Sequence, residues 1–117
     1  MIQQKNDKGS VNISTNVYTH IAGTAATNCF GVKGMVALSM RDGFYHLLRK
    51  EAASKGVQVF FNEDNSINID LHIMVDEGVN LPAVGEAIIS EVRYVVTSCT
   101  GTEVRAVNVY VDSVKVG

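Results

Sequence analysis

No apolar run in this 117-residue chain approaches the ~20 residues that a membrane-spanning helix needs. Its opening stretch, Met1 to Ser10, lacks the apolar segment of a secretory signal, so the expected location is the cytoplasm. Positive charge is also scarce: Lys and Arg number 10 against 12 Asp and Glu, a formal net charge of -2. No field draws a phosphate backbone, and nucleic acid is not expected as a partner. There are only 2 cysteines, and Cys29 and Cys99 fall in no CxxC or Cys/His ligand spacing, so no metal is expected. In a reducing compartment they are expected as free thiols. The glycines of Gly31-Val-Lys-Gly34 match neither GxGxxG nor the Walker A spacing that wraps phosphate, and turn formation explains them more simply. No cofactor is expected.

What the chain does have is apolar content: 46% of its residues are hydrophobic and 19% charged, enough to offset the conformational entropy of folding. Its length fits one core. Residues 1–9 are expected as a disordered lead-in and residues 10–117 as a single domain. Val11 to Ile13 alternates as a short strand would. From Asn16 to about Phe30, Val17, Ile21, Ala25 and Cys29 recur at helical spacing with Ala22 and Ala26 beside them, with Ser14 or Thr15 as cap and Gly31 as stop. Gly31 to Gly43 reads as a loop with room for a short strand, and its apolar part, Met35 to Met40, is not explained by composition. Phe44, Leu47, Leu48 and Ala52 give the spacing of a second, shorter helix, stopped by Gly56.

Val57 to Phe61 and Ile67 to Val75 read as strands joined by the polar turn Asn62 to Ser66. The second carries the clearest pattern in the chain. Ile67, Ile69, Leu71, Ile73 and Val75 fall on one face, and Asn68, Asp70, His72, Met74 and Asp76 on the other. Asn80 is the candidate cap of a long helix with Pro82 in its first turn, the stripe Val84, Ile88, Val92, Val95, Cys99, and Gly101 as stop. Val104 to Val111 is the last strand, with Val107, Val109 and Val111 opposite Ala106, Asn108 and Tyr110. The order β-α-(α)-β-β-α-β predicts an α+β fold of the split βαβ type, a small antiparallel sheet with helices packed on one face and a right-handed crossover through the long helix.

Catalysis finds little support in these residues. His20, His46 and His72 are linked by no motif to either cysteine, and His72 reads as a strand residue beside Asp70. Cys29 and Cys99 sit near helix C-termini, where the dipole raises a thiol pKa, so they read as packing residues. A disulfide between them would need both helices to cover the same sheet face. More telling is the outer sheet face, where Gln58, Phe60, Asp70, His72, Met74, Asn108 and Tyr110 should gather. Aromatics on such a sheet suit single-stranded RNA readers, yet Asp70 and Asp112 stand where a binder would carry Lys or Arg. A protein contact anchored by Phe60, Met74 and Tyr110 fits the composition better.

Three stretches together resemble the alkaline shock protein family of Gram-positive bacteria, the envelope stress response proteins. They are Ile21 to Met35, the hairpin from Lys55 through Val75, and Glu77 to Pro82 with Thr100 to Val111. The likeness covers nearly the whole chain and is greatest to the shorter members, which lack long charged tails. It implies a cytoplasmic, non-enzymatic protein, some of whose relatives lie at the membrane through a separate anchor protein; the family has no established catalytic residues to carry over. The expected function is a self-associating scaffold or adaptor with Phe60, His72, Met74, Asn108 and Tyr110 on its contact face. The partners expected are further copies of itself and a membrane-anchored protein. The alternatives are a single-stranded RNA-binding module, and a small-molecule or acyl-group site between helix and sheet.

Overall fold

A computed structural model of the chain describes residues 2–6, 9–36, 47–48 and 56–116. The organising element is β6 (Ile67–Asp76), whose side chains alternate strictly between buried and half-buried. Ile67, Ile69, Leu71, Ile73 and Val75 are each 0% exposed. Full burial of one such side chain contributes about 1.5–3 kcal/mol, and a slip of one residue would turn the whole set to solvent.

Three strands take their register from β6. β7 (Val104–Lys115) runs parallel along one edge for the full length of β6. The other edge is shared end to end by two antiparallel strands: β3 (Val32–Val36) covers the Ile73–Val75 end, and β5 (Val57–Phe61) covers Ile67 to Leu71. β4 (Leu47–Leu48) pairs with Met35 and Val36 on the far side of β3. β3 and β5 are therefore two halves of one edge, separated in sequence by an excursion that leaves after Val36 and returns at Gly56. At the seam, a Cβ on Gly56 would lie 2.8 Å from Met35 Cβ, 2.9 Å from the Val36 carbonyl and 3.1 Å from that of His72. Only glycine lets the two strand ends meet over β6.

Both helices lie on the face that carries the odd-numbered residues of β6, in one core. α1 (Thr15–Thr27) presents Tyr18, Ala22, Ala25 and Ala26. Tyr18 is completely buried, its hydroxyl 2.7 Å from Thr102 Oγ1 and its ring edge-on to Phe61 at 5.9 Å. α2 (Leu81–Thr100) buries Val84, Ile88, Val92, Val96 and Thr100. Asn80 Oδ1 accepts from the Ala83 amide at 3.1 Å, and Gly101, at φ 72°, closes the helix in the left-handed conformation.

The α+β class, with its small sheet and its helices on one face, is as the sequence indicates. The parallel β6–β7 pair follows from the helical crossover, since α2 carries the chain back to the end of the sheet where β6 began. Several details differ. The buried face of α1 contains the expected Ala22, Ala25 and Ala26 but begins at Tyr18 in place of Val17, which is 43% exposed. Ser14 is its cap by position, but its side chain makes no capping bond. On α2 the stripe runs through Val96 and Thr100; Cys99 is exposed and both thiols are free. Ile2–Asn6, in the stretch expected to be disordered, forms β1, paired antiparallel with β2 (Gly9–Ile13) as a separate ribbon. Met35, from the unexplained apolar stretch, is a core residue of β3. Leu47 and Leu48 are strand, not helix; the rest of that expected helix, His46 included, lies outside the described residues.

Two predictions follow from this packing. Gly56→Ala should lower stability by about 1–3 kcal/mol, the usual cost of overpacking a filled site, as measured by urea denaturation. In the β5–β6 turn, Asp64 Oδ1 accepts from Ser66 Oγ at 2.6 Å and from the Ser66 amide at 3.0 Å. The Ser66 hydroxyl, then its amide, holds the Asp64 carboxyl below the usual carboxylate range. A depressed pKa stabilises the fold above the unfolded-state value, and that stabilisation is lost as pH falls through the folded value. Wild type should therefore melt above Asp64→Asn at neutral pH, and the gap should close as the pH is taken to about 2.

Candidate protein-contact face

The alternation that buries one side of β6 sends Asn68, Asp70, His72, Met74 and Asp76 to the other. β5 adds Gln58 and Phe60 to this face, opposite Asp70 and Asn68. β7 adds Asn108 opposite Asp70 and Tyr110 opposite His72. Both described helices lie on the other side, so among the described residues no helix covers this face.

At its centre the side chains are ordered by one another. Asn108 Nδ2 donates to Asp70 Oδ1 at 2.9 Å. The His72 ring stacks on Tyr110, centroids 4.8 Å apart and 14° between planes. His72 Nδ1 lies 2.8 Å from Asp112 Oδ2, with the two side chains 20% and 23% exposed. A carboxylate can only accept, so Nδ1 carries the proton and Nε2 is left as the acceptor of the neutral ring. Asp112 reaches this position because β7 bulges between Val111 and Ser113, which inserts an extra residue and re-aims it.

The sequence-derived set is thus only partly assembled. His72, Asn108 and Tyr110 come together with Asp70. Phe60, opposite Asn68, and Met74, opposite Gly34 and Ser113, share the face but lie about 20 Å apart along β6 at ~3.3 Å per residue. Phe60 is 48% and Tyr110 44% exposed, whereas Met74 is half-buried. His72 pairs with Asp112 and not with the expected Asp70. Asp112 itself, outside the candidate set, lies beyond the expected end of the last strand. The break in the valine alternation from Val111 to Val114 was the one signal that β7 continues through a bulge.

The carboxylates of Asp70, Asp76 and Asp112 line the face, and Lys33 Nζ pairs with Asp76 at 3.5 Å. Elsewhere, His20 and Cys99 line one groove between α1 and α2, with Glu91 and Val95. Burial pushes the Cys29 thiol up, and the Glu91 carboxylate pushes it further, a setting that disfavours a reactive thiolate. Among the described residues no cluster of three or more His, Cys, Asp or Glu could hold a metal ion, and no helix is long and apolar enough to cross a membrane.

An α+β domain with one sheet face packed and the other left open, lined by stacked aromatic and amide side chains, is the class of protein these features define. The chain belongs to the alkaline shock protein 23 family, described by a cell envelope-related function, whose profile matches residues 3–116. It is 37% identical over 116 residues to the uncharacterized protein YloU of Bacillus subtilis (strain 168), covering 98% of this chain and 96% of that one. It is also 37% identical over 109 residues to the uncharacterized protein Spy1614 of Streptococcus pyogenes serotype M6, covering 92% and 89%. Among solved structures, a zinc form of the MamM CTD shares 17% identity at a TM-score of 0.48 over 87% of this chain and 85% of that one.

The His72–Asp112 contact can be tested directly. Nitrogen-15 spectra of the neutral ring should show the proton on Nδ1 in wild type, and Asp112→Ala should shift the population toward the Nε2–H form that a free imidazole prefers.

Proposed function

We propose that this chain is a non-catalytic, cytoplasmic scaffold or adaptor of the cell envelope that works by self-association and protein contact. The observation that supports this most is the outer sheet face: it exposes Phe60 and Tyr110 beside an ordered polar cluster, and among the described residues no helix lies over it. Aromatic anchors surrounded by satisfied polar groups suit a protein interface. Without a crossing helix among the described residues, a membrane-anchored partner protein would supply any attachment to the envelope.

The second reading, a single-stranded RNA module, draws on the same stacked aromatics. The carboxylates of Asp70, Asp76 and Asp112 weigh against it, because a groove that tracks a phosphate backbone is lined with cations.

Light scattering coupled to size exclusion, over a concentration series and at two salt levels, tests the proposal. A discrete oligomer insensitive to salt is the expected result, and a monomer at every concentration overturns the self-association. Retention of RNA that falls steeply with salt would favour the second reading. Phe60→Ser combined with Tyr110→Ser should weaken assembly while the circular dichroism stays that of a folded chain, since neither side chain belongs to the packed core.

A further inference from the structure

β7 has β6 on one side and, among the described residues, no strand on the other. A long bare strand edge presents a row of unpaired amides and carbonyls, a template for another strand. Three features of β7 indicate which strand that is.

The first is a symmetry in its pattern. Its pairing with β6 puts Val104, Val107, Val109, Val111 and Val114 on the core side and Ala106, Asn108, Tyr110 and Ser113 on the outer side. Read outward from Val109, the core-side positions repeat in mirror order: Val107 and Val111 lie two residues away, Val104 and Val114 five. An antiparallel pair of such strands about a two-fold axis at Val109 sets every core-side valine opposite a core-side valine. It also sets Asn108 opposite the partner's Tyr110. The register shifts fall in matching intervals, one between Val104 and Val107 and one between Val111 and Val114, with the extra residues Arg105 and Asp112 opposite the partner's Ser113 and Ala106.

The second is an imbalance in cover. α2 is about 30 Å long at 1.5 Å per residue, and β7 about 40 Å at ~3.3 Å per residue, so β7 outruns its helix. Val104 and Val107 are 6% exposed, whereas Val111 and Val114, also on the core side, are 38% and 45% exposed. Two-fold pairing sets the uncovered Val111 and Val114 against the partner's Val107 and Val104, at the rim of the partner's core. The third is charge: Glu103, just before β7, falls opposite the partner's Lys115, twice in the pair.

From these features we infer that two copies of this chain pair antiparallel along β7, centred on Val109, and join their sheets into one. The inference rests on the self-association proposed above and moves the self-contact from the open face to this edge, with Tyr110 common to both. The joined outer faces then carry two His72–Tyr110 stacks side by side.

The experiment uses the full chain with Cys29→Ser and Cys99→Ser. Residues that pair across a two-fold axis have Cα atoms about 4.5–5.5 Å apart, inside the range a disulfide tolerates. Val109→Cys should therefore cross-link to a dimer on mild oxidation, at least about tenfold faster than Phe60→Cys on the far edge of the sheet. In the unmodified chain, Val111→Lys with Val114→Lys should weaken the dimer at least about tenfold, while Phe60→Ser alone leaves it intact. An oligomer that survives the lysine changes, with no preferential cross-link at Val109, overturns the edge pairing and leaves self-association standing. A wild type that is monomeric throughout removes both. Should the lysine variant unfold, the cross-linking rate decides.

Discussion

Everything in this fold takes its place from the two-residue period of β6. Five aliphatic side chains at alternate positions, all withdrawn from water, fix which face of the sheet is covered and forbid any slip in register. The two helices then have one surface on which to bury their own apolar stripes, and they share it. The small residues Ala22, Ala25 and Ala26 let α1 approach closely, while the bulkier valines and isoleucine of α2 fill the remaining depth. Tyr18 spans the core from α1 to Thr102, just before β7, and its hydroxyl finds the one partner that makes complete burial tolerable.

The open face is the complement of that constraint. Because the odd positions of β6 must be apolar, the even positions are free to carry chemistry, and the parallel register of β7 brings a second row beside them. Asp70 with Asn108 and His72 with Tyr110 are cross-strand neighbours, so their contacts follow from backbone pairing. A polar cluster held in this way is ordered before any partner arrives, which reduces the entropy lost on binding. The family is described by a cell envelope-related function.

β6 could be read from sequence because aliphatic alternation over ten residues has no helical counterpart, and the ends of α2 because Asn80 and Gly101 are strong local signals. The small-residue face of α1, Ala22, Ala25 and Ala26, is legible from its spacing, but the burial of Tyr18 in place of Val17 is not, because it depends on the long-range bond to Thr102. The continuation of β7 was hidden by the bulge at Asp112, which breaks the period that identifies a strand. β1 could not be read because Ile2 to Asn6 lacks apolar alternation; its pairing is local to β2. For the contact face, membership was legible from parity, but distance along the strand was not weighed, so Phe60 and Met74 were grouped with side chains far from them.

The shared edge of β6 also bears on how the chain is divided. Val36 and Gly56 are remote in sequence, yet they abut over a single residue of β6, so the sheet treats what lies on either side as one continuous strand with a stitch in it. The chain therefore leaves this edge after Val36 and rejoins it at Gly56 at the same spot. A change of length in this connection would leave the β3–β6 and β5–β6 registers unaltered, provided the stitch keeps its glycine, whereas the pairing of Leu47 and Leu48 with β3 ties part of it to the sheet.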